Sequence, residues 1–370
     1  MNKIPNTSYL WKARGTVGRL QRLKKLDIES REDFLSGFRA VLDGSVIQKA
    51  AWKRAHEIAQ AHGYGKDDPV PLPVLVELFS KDPTIAMSVR TWLDVQDLIW
   101  GVVAEEFDGN MDDYLAVMES YDRRGPGTLE LNPDMEIPAY CKHEIHRQPG
   151  GFVGSPFAGF IHYYGVLSFY KGLNDSGELS KLYATAVPAP KDGVIRRILD
   201  MGCSDGQFSM AIKDRFPDAE VWGIDVGGPM VRFAHLRAVD LNIDVNFAQR
   251  LAEDTKFPDN HFDIVTSYIL HHEVNADATR KIINEAYRVL RPGGIYFPID
   301  AYTGKPVETD IFLRFRIWWD YTLNNEPWRM EYADVDFLGE MRKAGFEVNE
   351  NGPPAWWTGA ERNVVGTKPA

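Results

Sequence analysis

Three groups of residues have the types and spacing for chemistry. Gly202-Cys203-Ser204-Asp205-Gly206 fits G-x-S-x-G, the strained strand-to-helix turn that exposes a nucleophilic serine. The same residues also suit a glycine loop that lets a cofactor approach the backbone at the end of a parallel strand. A hydrolase triad would need a histidine late in the chain, yet His272 is the last one and nearly a hundred residues follow it. The cofactor loop is therefore preferred, and it calls for a ribose-binding acid some way downstream. Asp225 in "VWGIDVG" stands 23 positions after Gly202. The dinucleotide fingerprint fails, because Ser204 and Gln207 hold its second and third glycine positions. Asp200 and Asp205 would also repel a pyrophosphate. A ligand carrying a sulfonium and an ammonium would be attracted instead.

The second group is "SYILHHE", with Tyr268, His271, His272 and Glu273 at or just past a strand end, where ligands bind in open α/β sheets. Histidine titrates near neutrality, so His271 and His272 are candidate bases, with Glu273 as the carboxylate alternative. Structural packing of one imidazole is the competing role, and for Glu273 it is capping of the next helix. The third group is "HEIHRQPGGF", which holds His143, Glu144 and His146. These would need ligands from elsewhere to hold a metal. We expect no metal, and read the segment as part of a lid.

The elements that must position these groups change character along the chain. Residues 30 to about 122 carry apolar positions at helical spacing in "SREDFLSGFRAVL", "SVIQKAAWKRAHEIAQAHG" and "PTIAMSVRTWLDVQDLIWGVVAEEF". "RRGPGTLELNPDMEIP" reads as a loop or boundary. After Pro190, β-rich runs at 194–201, 219–226, 244–251, 262–270 and 294–300 alternate with helical stretches, which implies right-handed crossovers and a parallel sheet. Two last runs, 345–351 and 362–368, have no helix between them and are expected to pair as an antiparallel hairpin. The expected fold is α/β, a Rossmann-like seven-stranded, mostly parallel sheet. It would be preceded by a helical N-terminal domain (1–138), with the cofactor-binding domain over 139–370. Within the latter, 139–185 would form the lid and 302–332 an aromatic cap.

Four blocks in order, "LDMGCSDGQ", "VWGIDVG", "AEDTKFPDNHFDIVTSYILHHE" and "LRPGGIYFPID", resemble the class I S-adenosylmethionine-dependent methyltransferases, on the small-molecule branch of ubiquinone and menaquinone biosynthesis. The resemblance covers about 190–300. It implies S-adenosylmethionine as cofactor and S-adenosylhomocysteine as product. It places Asp200, Gly202, Ser204 and Gly206 in the cofactor loop, Asp225, Val226 and Met230 beyond the second strand, and Ala252, Glu253 and Ser267 on the adenine side. The family's motif usually has glycine where Ser204 stands, and Leu251 replaces a common aspartate. His146, Tyr163, Tyr164 and Tyr268 are expected to face the acceptor, with Phe315, Trp318 and Trp319 as one wall of its pocket. The alternative for these aromatics is core or a homodimer interface.

The formal charge of −11 argues against a nucleic-acid partner. With no run of about 18 apolar residues and no apolar leader, the chain reads as cytoplasmic without a membrane span. Cys141 and Cys203 make neither a disulfide framework nor a zinc pattern. The expected function is methyl transfer to a small apolar, aromatic or prenyl-like acceptor, at oxygen or carbon. A non-catalytic binding protein that keeps the cofactor fold is the alternative, ahead of a serine hydrolase.

Overall fold

The computed structural model describes residues 26–370 apart from 45, 66–67, 171–173, 175–176, 302–309 and 354–362. The front of the expected aromatic cap and most of the link between the last two strands therefore lie outside the described residues.

The alternation after Pro190 forms one sheet: β2 (Arg197–Met201), β3 (Glu220–Asp225), β4 (Asn246–Gln249), β5 (Phe262–Tyr268), β6 (Leu290–Ile299), β7 (Glu347–Asn349) and β8 (Val365–Thr367). With a further strand β1 (Leu129–Glu130), the strand order is β1-β4-β3-β2-β5-β6-β8-β7, parallel from β1 to β6, with β8 antiparallel to both β6 and β7. All seven expected strands are present. The eighth, β1 (Leu129–Glu130), comes from the stretch read as a loop and pairs with the edge of β4. Gly127 allows that approach, because a Cβ there would lie 1.9 Å from the Val245 carbonyl oxygen.

Alternate side chains leave opposite faces of each strand. Ile198, Ile264 and Phe297 point into a core shared with α7 (Glu178–Ala186), α8 (Gln207–Arg215) and α9 (Gly228–Leu241). Their neighbours Leu199, Val265 and Tyr296 point the other way, against α10 (Ala276–Val289) and α13 (Phe337–Ala344). Strand order reverses between β2 and β5, so the loops after these strands open a crevice at the switch point.

The N-terminal half is helical: α1 (Leu26–Gly44), α2 (Ile47–Ala61), α3 (Leu72–Ser80), α4 (Pro83–Gly109) and α5 (Met111–Tyr121). Helices α1, α4 and α5 share a core with α6 (Ala158–Phe169) and with Phe233 and Leu236 of α9. Gly165 of α6 lies so close to Trp100 of α4 that only glycine fits. Helices α2, α3 and α4 pack on α11 (Ile311–Leu323), which is followed by the short α12 (Arg329–Ala333). No described helix is long and apolar enough to cross a membrane.

Candidate active site

The loop from β2 into α8 turns through three left-handed residues, Gly202 (φ +69°), Ser204 (φ +51°) and Gly206 (φ +78°). The glycine usual in the family at the Ser204 position thus has a conformational reason. Here the serine is held in place by its amide, which donates to Asp225 Oδ2 at 3.0 Å. Asp225, at the end of β3, also accepts from the Gly227 amide at 2.8 Å through Oδ1. Each carboxylate oxygen keeps a lone pair for a ribose hydroxyl. Burial pushes the Asp225 carboxyl up to about 6, against the pull of those two amides. Asp200, nearly fully buried, accepts from the Ser209 hydroxyl at 2.5 Å and is raised to about 7, first by burial and also by Asp225.

Asp200 Oδ1 and Ser204 Oγ are both buried without a partner. Buried polar atoms left unpaired mark a place where a ligand completes the set. Carboxylates raised by burial, and in the case of Asp200 also by Asp225, are stabilised by a cationic ligand. The loop therefore fits a molecule with a diol and positive charge.

The adenine side and the lid meet. The Tyr140 hydroxyl donates to Glu253, and the Cys141 thiol is raised to about 12 by burial and by the Glu253 and Asp225 carboxylates nearby. The Phe152 carbonyl lies so near Gly227 that a Cβ would stand 2.6 Å from it. The segment from 140 to 152 thus runs over the crevice. Val226 is half-buried and its carbonyl accepts from Gln249, while Met230 is fully buried in the first turn of α9. Ala252 is half-buried beside Glu253. Ser267 pairs with Met201 in the sheet and is fully buried near Tyr296.

Beyond β5 the chain makes a short 3-10 turn over His271–Glu273, and here the two histidines part. His271 is fully buried, with Nε2 2.7 Å from the Tyr296 hydroxyl and its ring edge-on to Phe337. Burial lowers it to about 4. It packs on the α10–α13 side, so the base role entertained for it gives way to a structural one. His272 places Nδ1 2.5 Å from Asp300 Oδ1 and Nε2 3.1 Å from Glu273 Oε1. Burial pulls His272 down, but Asp300 outweighs it and raises the ring to about 9.

Glu273 Oε1 also meets His146 Nε2 at 2.7 Å, and His146 Nδ1 faces Glu326 Oε1 at 3.2 Å. Burial favours the neutral acid, yet His146 and His272 hold Glu273 well below the ordinary carboxylate range. His146 has a left-handed backbone (φ +52°). It is fixed from α4, whose Trp100 Nε1 and Gln96 Nε2 donate to its carbonyl at 2.8 and 3.2 Å. Next to it, Arg147 forms a two-pronged pair with Asp97. The N-terminal helices therefore position a residue of the site. Burial lowers the His162 imidazole, whose Nδ1 lies 3.3 Å from Gln148 Oε1 and whose ring is edge-on to Phe152.

The other expected acceptor contacts are placed elsewhere. Tyr163 and Tyr164 are buried in the α4–α6–α9 core, with Arg237 over the Tyr163 ring. Tyr268 packs against Tyr183 and Phe208 at the end of β5. Phe315 and Trp319 of α11 are buried on α2, α3 and α4, edge-on to Phe79 and Trp92, with Trp318 stacked on Phe315. The core alternative describes the packing of Phe315 and Trp318, whereas Trp319 both packs in this core and lines a cavity. A cavity of about 240 Å³ between α2, α4 and α11 is lined by Trp52, Trp92, Phe312 and Trp319, away from the strand ends. Asp300, Glu326 and Tyr140 were not foreseen. Asp300 follows β6 at the same rim and could have been found by that rule; nothing in "NNEPW" marks Glu326.

Known proteins match part of this chain. Residues 198–294 match the family model "Methyltransferase domain". Demethylmenaquinone methyltransferase of Thermus thermophilus is 38% identical over 99 residues, 27% of this chain and 44% of that protein. The UbiE ubiquinone/menaquinone biosynthesis C-methyltransferase of Cupriavidus necator is 32% identical over 159 residues, 41% of this chain and 63% of its own length. The chain thus spans about half to two thirds of these two relatives. The Cupriavidus taiwanensis UbiE is 30% identical over 210 residues, covering 51% of this chain and 84% of that protein. A solved structure of Haemonchus contortus phosphoethanolamine N-methyltransferase 2 with S-adenosyl-L-methionine is 21% identical. It matches 47% of this chain and 38% of its own, with a TM-score of 0.35. The chain belongs to the class I S-adenosylmethionine-dependent methyltransferases and resembles their ubiquinone/menaquinone biosynthesis branch.

Proposed function

We propose that this protein transfers the methyl group of S-adenosylmethionine to a small hydroxylated aromatic or prenyl-bearing acceptor, at oxygen or at a ring carbon. The observation that carries the reading is the crevice itself. An Asp225-anchored loop with two unpaired buried oxygens lies at the switch point, and a partly buried His146–Glu273–His272 cluster stands on the adjoining strand end. Quinone-pathway relatives point to the acceptor class.

Asp225 would hold the ribose, Asp200 and Ser204 the charged amino-acid end, and Glu253 the adenine side once Tyr140 yields. When bound, the cofactor supplies a methyl carbon activated by positive sulfur. The protein's part is alignment and exclusion of water. The 140–152 segment would cover the crevice, and Glu273 Oε2, buried without a partner, can accept a hydrogen bond from the acceptor's hydroxyl. The test is an incubation with methyl-labelled cofactor and a panel of hydroxylated aromatic and prenylated quinol acceptors. Transfer that disappears in Asp225→Ala supports the reading. Cofactor binding without transfer to any acceptor would favour the non-catalytic alternative.

A further inference from the structure

His146 and His272 approach the same atom, Glu273 Oε1, at 2.7 and 3.1 Å through their Nε2 nitrogens. On each ring the other nitrogen faces a buried carboxylate, Glu326 for His146 and Asp300 for His272. Ionised carboxylates only accept, so both Nδ1 atoms carry hydrogen, and in a neutral imidazole Nε2 is then a lone pair. Two nitrogen lone pairs and a carboxylate oxygen cannot converge without positive charge among them. Protons on one or both Nε2 atoms, or one cation at the centre, would hold these groups together.

We propose that His146, His272 and Glu273 bind one divalent transition-metal ion of the zinc, manganese or iron(II) class. Two imidazoles and a carboxylate form a donor set that leaves coordination positions open. Carboxylates on the far nitrogens are the usual way such rings are oriented and made more basic, and both rings have one here. The three ligand atoms lie within 4.8 Å of one another. On a zinc ion with bonds of about 2.0–2.2 Å, neighbouring ligands stand roughly 3.3 Å apart, so small rotations suffice. Glu273 Oε2 is buried and unpaired, so the carboxylate can bind through either oxygen. In the sequence His146 lacked further ligands; the fold brings them from the rim of β5, against the expectation of no metal. The site stands on this geometry. Its use, an acceptor oxygen entering an open position, rests on the methyl-transfer reading.

The test strips the full-length protein with a chelator and equilibrates it with Zn²⁺, Mn²⁺ or, without oxygen, Fe²⁺. Bound metal is then counted by mass spectrometry. The wild type should retain one ion per chain for at least one of these metals. His146→Ala and Glu273→Gln should bind it at least about tenfold more weakly. His62→Ala, an exposed histidine on the end of α2, should not differ from wild type. Wild-type protein loaded with Co²⁺ should show visible d–d bands, which requires no variant to fold. No retained metal and no Co²⁺ bands, or binding undiminished in both variants, overturns the site. A cofactor titration on the metal-free protein separates the two ideas: cofactor binding without metal binding sinks only the metal site, and the reverse sinks only the methyl-transfer reading.

Discussion

Replacing Asp225 with alanine removes an acceptor that already organises the crevice and, in our reading, holds the ribose. In the free protein its two oxygens accept the Ser204 and Gly227 amides at 3.0 and 2.8 Å. Hydrogen bonds to a charged group contribute about 1.5–3 kcal/mol each. Two ribose hydroxyls would be affected, but the freed amides can turn to water or to the ribose oxygens. The net loss should therefore be near that of one bond, about 1.5–3 kcal/mol, which weakens binding roughly 10- to 150-fold. Calorimetric titration with S-adenosylhomocysteine at pH 8 measures it, with thermal melting to confirm that the variant folds. The carboxyl of the free protein is raised to about 6, and ribose hydroxyls bond best to its ionised form. Wild-type affinity should thus fall further as pH drops through about 6, by no more than the roughly 10- to 150-fold lost in the variant, and Asp225→Ala should lack this step while keeping any that Asp200 contributes near 7. Equal affinity for a folded variant and the wild type, or a flat wild-type pH profile, would refute the assignment.

Other consequences are as direct. Ser204→Gly should raise the melting temperature, since it relieves a left-handed non-glycine residue that costs about 1 kcal/mol; a lower melting temperature would contradict this. Gly202→Val, at φ +69° and with its Cβ 2.6 Å from Leu270, should abolish cofactor binding in the titration. Asp200 binds its proton more tightly folded (about 7) than unfolded (3.8). It therefore favours the folded state fully below about 4, and that contribution is lost as pH rises to about 7, by up to about 1.4 kcal/mol per unit. Asp200→Asn should gain stability over wild type between pH 5 and pH 8; a constant difference in melting temperature would contradict it. His271→Asn should lower stability by about 1–3 kcal/mol through the loss of its buried bond to Tyr296, while turnover of the folded fraction stays near wild type.

The sheet was legible because its strands alternate with amphipathic helices, and the acid after β3 follows from the topology of the crevice. Helix α6 was not, since most of its residues are buried and it has no polar face to give a period. Strand β1 is too short to show alternation. For His271 and His272, adjacent residues of identical type, sequence offers no sign of which turns inward; the fold decides it through Phe337 on one side and Asp300 on the other. His146 was visible as a polar residue in a lid, but its partners Glu273 and Glu326 lie 127 and 180 residues away. The α11 aromatics misled because a run rich in tryptophan and phenylalanine serves a helix–helix core as well as a pocket.

A crystal structure with S-adenosylhomocysteine tests the central claim most directly. The ribose hydroxyls should lie on Asp225, and the sulfur should face the side of the crevice where His146, His272 and Glu273 meet. A ligand bound elsewhere, for instance in the cavity between α2, α4 and α11, or one whose sulfur points away from Glu273, would contradict it.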